Sequence, residues 1–152
     1  MKKIVTILVF LSIGLILFAQ SATIKSKKCI NLVNSGLALI KKVGLENAYK
    51  EFSDTKGKYV DGELYLFVLD KDGVCLAHGG NKGLIGKNHI ELRDVDGVFF
   101  IKELIDIGMK KGKGWFDYKW TNPETKKVQK KTTYVAKIPG QDGLFLFCGF
   151  YK

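Results

Sequence analysis

The stretch Gly62-Glu63-Leu64-Tyr65-Leu66-Phe67-Val68-Leu69-Asp70, followed by Lys71-Asp72-Gly73 and then Val74-Cys75-Leu76-Ala77-His78-Gly79, decides the fold. Its first part is almost continuously apolar, as a central strand buried on both faces would be. Lys71-Asp72-Gly73 supplies a turn with glycine where a positive φ is needed. Residues 74–79 then return as a second strand, and the two make a β-hairpin.

N-terminal to the hairpin, residues 26–53 carry Ile30, Val33, Leu37, Ile40, Leu45, Ala48 and Phe52 at roughly helical spacing. This predicts a long amphipathic helix, which Gly36 and Gly44 weaken and mark for a kink or a break. Ser53 to Gly57 is a loop. C-terminal to the hairpin, residues 80–98 are rich in glycine and polar groups, with apolar touches at Leu84, Ile85, Ile90 and Leu92, too long for a plain connection. Val98 to Lys111 predicts a second helix, ended by Gly112 and Gly114. Residues 115–120 read as a strand, Thr121 to Lys127 as a turn around Asn122-Pro123, and residues 128–138 as a strand. A turn from Pro139 to Gly143 leads into a last strand, Leu144 to Tyr151. The fold class is therefore α+β: a long N-terminal helix packed on a five-stranded antiparallel sheet, with helical segments over the other face.

The whole chain has 152 residues, 46% hydrophobic and 26% charged, which sets one globular domain and excludes disorder. Glycine is plentiful and proline scarce, 17 against 2, which excludes collagen and proline-rich linkers. Internal repeats are absent. Three cysteines are too few for a disulfide scaffold, and no CxxC, HExxH or CxxCH motif occurs, so no metal and no cofactor is assigned. No nucleophile–base pair is visible, so no residue is assigned as catalytic and the chain reads as a non-enzyme. The net charge of +10 comes from lysines spread along the chain, with clusters at 25–28, 110–113 and 126–131. Nothing alternates them with base-stacking aromatics, which argues against nucleic acid and leaves solubility or attraction of anions.

Lys2 and Lys3 precede an apolar run from Ile4 to Phe18, and Ala19-Gln20-Ser21 places small residues for cleavage after Ser21. The run rises about 22 Å as a helix, short of the ~30 Å hydrocarbon core. We expect a signal peptide over 1–21, a domain over 22–152, and a periplasmic or secreted protein. The alternative is an uncleaved membrane anchor, for which Lys25, Lys27 and Lys28 would act as stop-transfer flanks. Cys29 follows no lipobox.

The order of elements and a series of motifs resemble the single Cache domain, an extracellular sensor relative of the PAS fold. The residues that carry the resemblance are Tyr65 to Gly73, Leu76-Ala77-His78, Leu84 to Lys87, and Leu92-Arg93-Asp94-Val95-Asp96-Gly97. They continue in Gly114 to Trp120, Asn122-Pro123, Lys131 to Val135, and Cys148 to Tyr151. The resemblance implies a PAS-like fold and a pocket between the sheet and the helical segments, taking a small and often carboxylate-bearing metabolite. It also implies a link to a membrane receptor or kinase. The chain ends directly after the last strand, so the expectation is a stand-alone exported form. A homodimer or interaction module built on the first helix, with a vestigial pocket, is the alternative.

Six residues are candidates for ligand binding: His78, Trp115, Tyr118, Trp120, Lys131 and Tyr134. His78 fits either a structural histidine or a hydrogen-bond donor to an anion, with a pKa near 6.5 that would make binding pH-sensitive. Tyr118 suits an apolar cavity with a few aimed polar groups. Trp115 and Trp120 stand evenly between core and pocket. Lys131 is the natural partner for a carboxylate, although it closes a lysine run of the kind that usually lines a solvated edge. Strict alternation sends Lys131 and Tyr134 to opposite faces unless a bulge intervenes. Asp94 is expected to fix its loop, Arg93 could reach an anion, and His89 reads as solvated surface. Cys75 and Cys148 fall on strands flanking the first, about 9–10 Å apart and too far for a disulfide. Cys29 reads as unpaired, with intermolecular pairing open.

Overall fold

The computed structural model describes residues 20–122 and 124–152 in full, and residues 2–19 as helix backbone only. Met1, the side chains of residues 2–19 in the expected signal segment, and Pro123 of the predicted turn therefore lie outside the described residues. Among the described residues no helix is long and apolar enough to cross a membrane.

The elements run α1 (Lys2–Val43), α2 (Leu45–Phe52), β1 (Val60–Asp61), β2 (Leu64–Asp70) and β3 (Cys75–His78), then a 3₁₀ turn at Lys82–Leu84. They continue with α3 (Phe100–Lys111), β4 (Lys113–Thr121), β5 (Val128–Lys137) and β6 (Leu144–Tyr151). All strand pairs are antiparallel. The main sheet has the order β3-β2-β6-β5-β4, and the two-residue β1 shares the outer edge of β2 with β3. The expected five strands are present, with β1 as a short addition that two residues of period could not reveal.

The hairpin is closed by a side chain. Asp70 Oδ1 accepts from the backbone N–H groups of Asp72 at 3.0 Å and Val74 at 2.8 Å, the local competition by which Asp favours turns. β2 is buried from Leu64 to Leu69. Leu64, Leu66 and Val68 face one core with Cys29, Val33, Ile40, Phe52, Leu146, Cys148 and Phe150. Tyr65, Phe67 and Leu69 face a second core with Phe100, Ile101, Leu104, Phe145 and Phe147. α1 and α2 cover the first face and α3 the second, which explains why the sheet's central strands show no polar alternation.

α1 runs through Gly36 without a break. A Cβ there would lie 2.7 Å from Leu66 Cδ1 and 2.9 Å from Leu146 Cδ2, so the glycine lets the helix sit close on the sheet. Gly44 is the break: its φ of 80° is open to glycine at little cost, and α2 starts one residue later. The outer face of α1 at Asn31, Asn34, Ser35, Lys41 and Lys42 is exposed and polar. Ile24, 51% exposed, is the large apolar side chain on the described part of that face. α3 begins at Phe100 rather than Val98, because Asp94 Oδ1 binds the N–H groups of Asp96 and Val98 and holds 94–98 as a turn.

Candidate functional site

Segment 79–99 folds over the outer end of β2 and leaves a cavity of about 50 Å³ between itself, the sheet and α3. Leu69, Leu84, Leu92, Phe100, Ile101 and Trp120 give it apolar walls. Tyr65, His78, His89, Tyr118 and Lys131 bring polar atoms to it.

Lys131 is 1% exposed. It starts on β5 and runs over β6 to Tyr65 on β2, where its ammonium donates to the phenol oxygen at 2.9 Å. The route passes above Gly149, where a Cβ would lie 2.8 Å from Lys131 Cε. The ammonium also lies 4.6 Å from the ring centre of Tyr65 and 5.0 Å from that of Tyr151, both within cation–π range. Burial works against its charge, while the hydrogen bond to Tyr65 and the facing rings of Tyr65 and Tyr151 work for it, and the net direction of its pKa is upward. Burial pushes Tyr151 up to about 12 and Tyr118 above its ordinary value, so both are neutral phenols at physiological pH. Lys130, one residue away on the other face, pairs with Asp117 at 3.3 Å. Among the described residues no carboxylate is paired with Lys131.

His78 lies 8% exposed at the end of β3, against Tyr65 and Phe67 with ring centres 5.0 Å and 5.4 Å away. Its Nδ1 accepts from the backbone N–H groups of Gly80 at 3.1 Å and Asn81 at 2.9 Å. That fixes Nδ1 as the acceptor and leaves the proton on Nε2, a neutral donor for the cavity. Burial, then the charge of Lys131 and His89, push its pKa down to about 4. The expected titration near 6.5 is corrected: this imidazole is neutral through the physiological range. His89 is not solvated surface. Its Nε2 lies 3.0 Å from the Leu84 carbonyl and its ring lines the cavity.

Tyr118, 6% exposed, stacks on Phe100 with ring centres 4.3 Å apart, and its hydroxyl lies 3.0 Å from Thr133 Oγ1. Trp120 tilts against Phe100 at 5.0 Å and reaches the same cavity. Trp115 and Tyr134 do not reach it. They form a cross-strand pair, 5.0 Å between ring centres, on the α1 side of the sheet. The reason is alternation: Lys131 and Thr133 point one way and Tyr134 the other, with no bulge recorded in the β5 ladders. Asp94, with its carboxyl held below the usual range by backbone N–H bonds from Lys119, Val98 and Asp96, ties the loop to β4. Arg93 stacks on Phe99, 4.0 Å from the ring centre, outside the cavity.

Sequence reasoning passed over Tyr65 and His89 as site residues. Tyr65 had a signal: a phenol in a strand buried on both faces needs a partner for its hydroxyl. His89 had none, because segment 79–99 has no period. Cys29 is a free thiol, as expected, and its Sγ lies 3.1 Å from that of Cys148, a contact the sequence did not suggest. The place where α1 crosses β6 is a matter of tertiary packing.

The cavity offers an ammonium, a histidine N–H and phenol hydroxyls within apolar walls, which suits a small anion with an apolar end. Among the described residues no group of three or more His, Cys, Asp or Glu could hold a metal ion.

The family model described as Single Cache domain 2 matches residues 25–151. The sensor histidine kinase MctS of Rhizobium johnstonii is 36% identical over 74 residues. That match takes in 49% of this chain but spans only 16% of the kinase. Among solved structures, a methyl-accepting chemotaxis protein from Vibrio parahaemolyticus aligns with a TM-score of 0.73 at 22% identity, covering 88% of this chain and 92% of that one. A Cache chemosensory domain, described in terms of its carboxylic acid recognition, aligns with a TM-score of 0.73 at 23% identity, covering 88% and 97%. At these identities the likeness to the solved structures is one of fold.

Proposed function

The chain belongs to the single Cache domain 2 family of ligand-binding sensor domains, and from that premise we propose that it binds a short carboxylic acid at Lys131. The observation that carries this reading is the buried ammonium at the cavity, with no carboxylate paired to it among the described residues. A carboxylate there gains a charge-assisted hydrogen bond in a low-dielectric setting. His78 Nε2–H, Tyr65 and Tyr118 are the further donors, and Trp120 and Phe100 close the apolar end. A cavity of about 50 Å³ is small, which favours short acids. The neighbouring Cache chemosensory domain that recognises carboxylic acid supports the same class.

Cache domains are sensor domains of the extracellular or periplasmic side. A signal segment over 1–21 ahead of a domain over 22–152 is part of this reading, as is a sensor kinase or chemoreceptor as the partner. Support for that partner class comes from the matching kinase and chemotaxis protein.

The test is calorimetric titration of the chain at pH 7 with acetate and propionate, beside acetamide and propionamide. The acids should bind and the neutral amides should not, and Lys131→Met should weaken acid binding by at least about 30-fold. Equal binding of acid and amide, or acid binding that survives Lys131→Met, would overturn the reading.

A further inference from the structure

Cys29 and Cys148 are both fully buried, and their sulfur atoms are 3.1 Å apart, one on α1 and one on β6, 119 positions away in sequence. A disulfide places its sulfurs ~2.05 Å apart, so the two thiols need to approach by about 1 Å. Both are free thiols in this structure, and each stands on a regular element held by the same core cluster. Cys75 faces the other core, on the opposite side of the sheet, and its sulfur contacts the Ala77 carbonyl. Extracellular and periplasmic compartments, where this family works, are oxidising.

We infer that the exported protein carries an intramolecular disulfide between Cys29 and Cys148, which staples α1 to the last strand, and that Cys75 remains a free thiol. The oxidant is a disulfide of the thiol-exchange class. One cysteine thiolate attacks it, forming a mixed disulfide and releasing one reduced thiol. The other cysteine thiolate then displaces the second. Two protein thiols become one disulfide, two electrons reduce the oxidant, and the two protons end on its thiols. In the folded, reduced protein the contact with Cys29 and burial hold the Cys148 thiol well above its usual pKa. Burial pushes the Cys75 thiol up to about 11. Thiolate attack from the closed structure is therefore slow, and the bond forms during folding or when the first helix opens.

The test is to fold the full chain in a glutathione redox buffer, quench it with acid, count free thiols in denaturant, and map non-reduced peptides by mass spectrometry. We expect one free thiol per chain, at Cys75, and a linked peptide pair holding Cys29 and Cys148. Thermal unfolding should lose ~10 °C on addition of a dithiol reductant, and Cys29→Ser should show no such reductant dependence. Cys75→Ser should leave no free thiol and keep the linked pair. Three free thiols after equilibration, a link involving Cys75, or a link between two chains would each overturn the inference.

Discussion

The Lys131 ammonium and the Tyr65 hydroxyl meet at 2.9 Å although their strands are not neighbours: β6 lies between them. The lysine stem spans that strand, so a charge that originates on β5 is delivered to the outer end of β2. Hydrogen bonds to charged groups contribute ~1.5–3 kcal/mol. Tyr65→Phe should therefore cost about 2 kcal/mol in urea unfolding at pH 7. In the double-mutant cycle with Lys131→Met the two changes should be non-additive by at least ~1 kcal/mol. Simple additivity would mean that the contact contributes nothing.

Gly149 is the opening through which Lys131 passes. An added methyl group would sit 2.8 Å from Lys131 Cε and closer still to Thr133 Oγ1. Gly149→Ala should displace the lysine stem and lower carboxylate affinity by ~10-fold or more, the equivalent of about 1.4 kcal/mol. Far-ultraviolet circular dichroism should stay that of the native sheet. Unchanged affinity would show that the ammonium has another route.

His78 makes stability depend on pH. Its folded pKa of about 4 lies below the unfolded value of 6.5. Between these two values the unfolded chain binds a proton that the folded chain refuses, so stability falls as pH falls. The contribution is complete above pH 6.5 and lost progressively down to about pH 4, and amounts to about 3 kcal/mol. His78→Asn keeps an acceptor for Gly80 and Asn81 and cannot be protonated. Denaturation curves at pH 7 and pH 4.5 should differ less for that variant than for the wild type.

Gly36→Ala sets two effects against each other. Alanine raises helix propensity by ~1 kcal/mol, while the new Cβ would press within 3 Å of Leu66 and Leu146. Overpacking typically costs ~1–3 kcal/mol. We expect net destabilisation, read as a lower urea midpoint. A gain in stability would show that the helix can lift from the sheet at little cost.

The hairpin from Gly62 to Gly79 was legible because an apolar run, an Asp-Lys-Asp-Gly turn and a returning strand all point to the same local structure. Alternation along β5 also sends Lys131 and Tyr134 to opposite faces. It could not choose which of the two faces held the cavity, because β5 and β6 are buried on both. Trp115 and Tyr134 fell on the helix side for that reason. His89 came from a stretch without period, whose path is set by Asn88, Asp94 and bonds to the edge of β3. The Cys29–Cys148 contact depends on where a helix crosses a strand, and no single segment encodes that crossing.

Segment 79–99 closes its own turns through His78, Asn81, Asn88 and Asp94, and it contributes no named strand to the sheet. Yet it furnishes one wall of the cavity, at Leu84, His89 and Leu92. Tyr65, His78, Tyr118 and Lys131 reach the same cavity from the strands. Leu84, Ile85, Ile90 and Leu92 of the segment also pack against the second core. One contiguous stretch therefore shapes the cavity and seals a core at once, and its exchange would be felt in both.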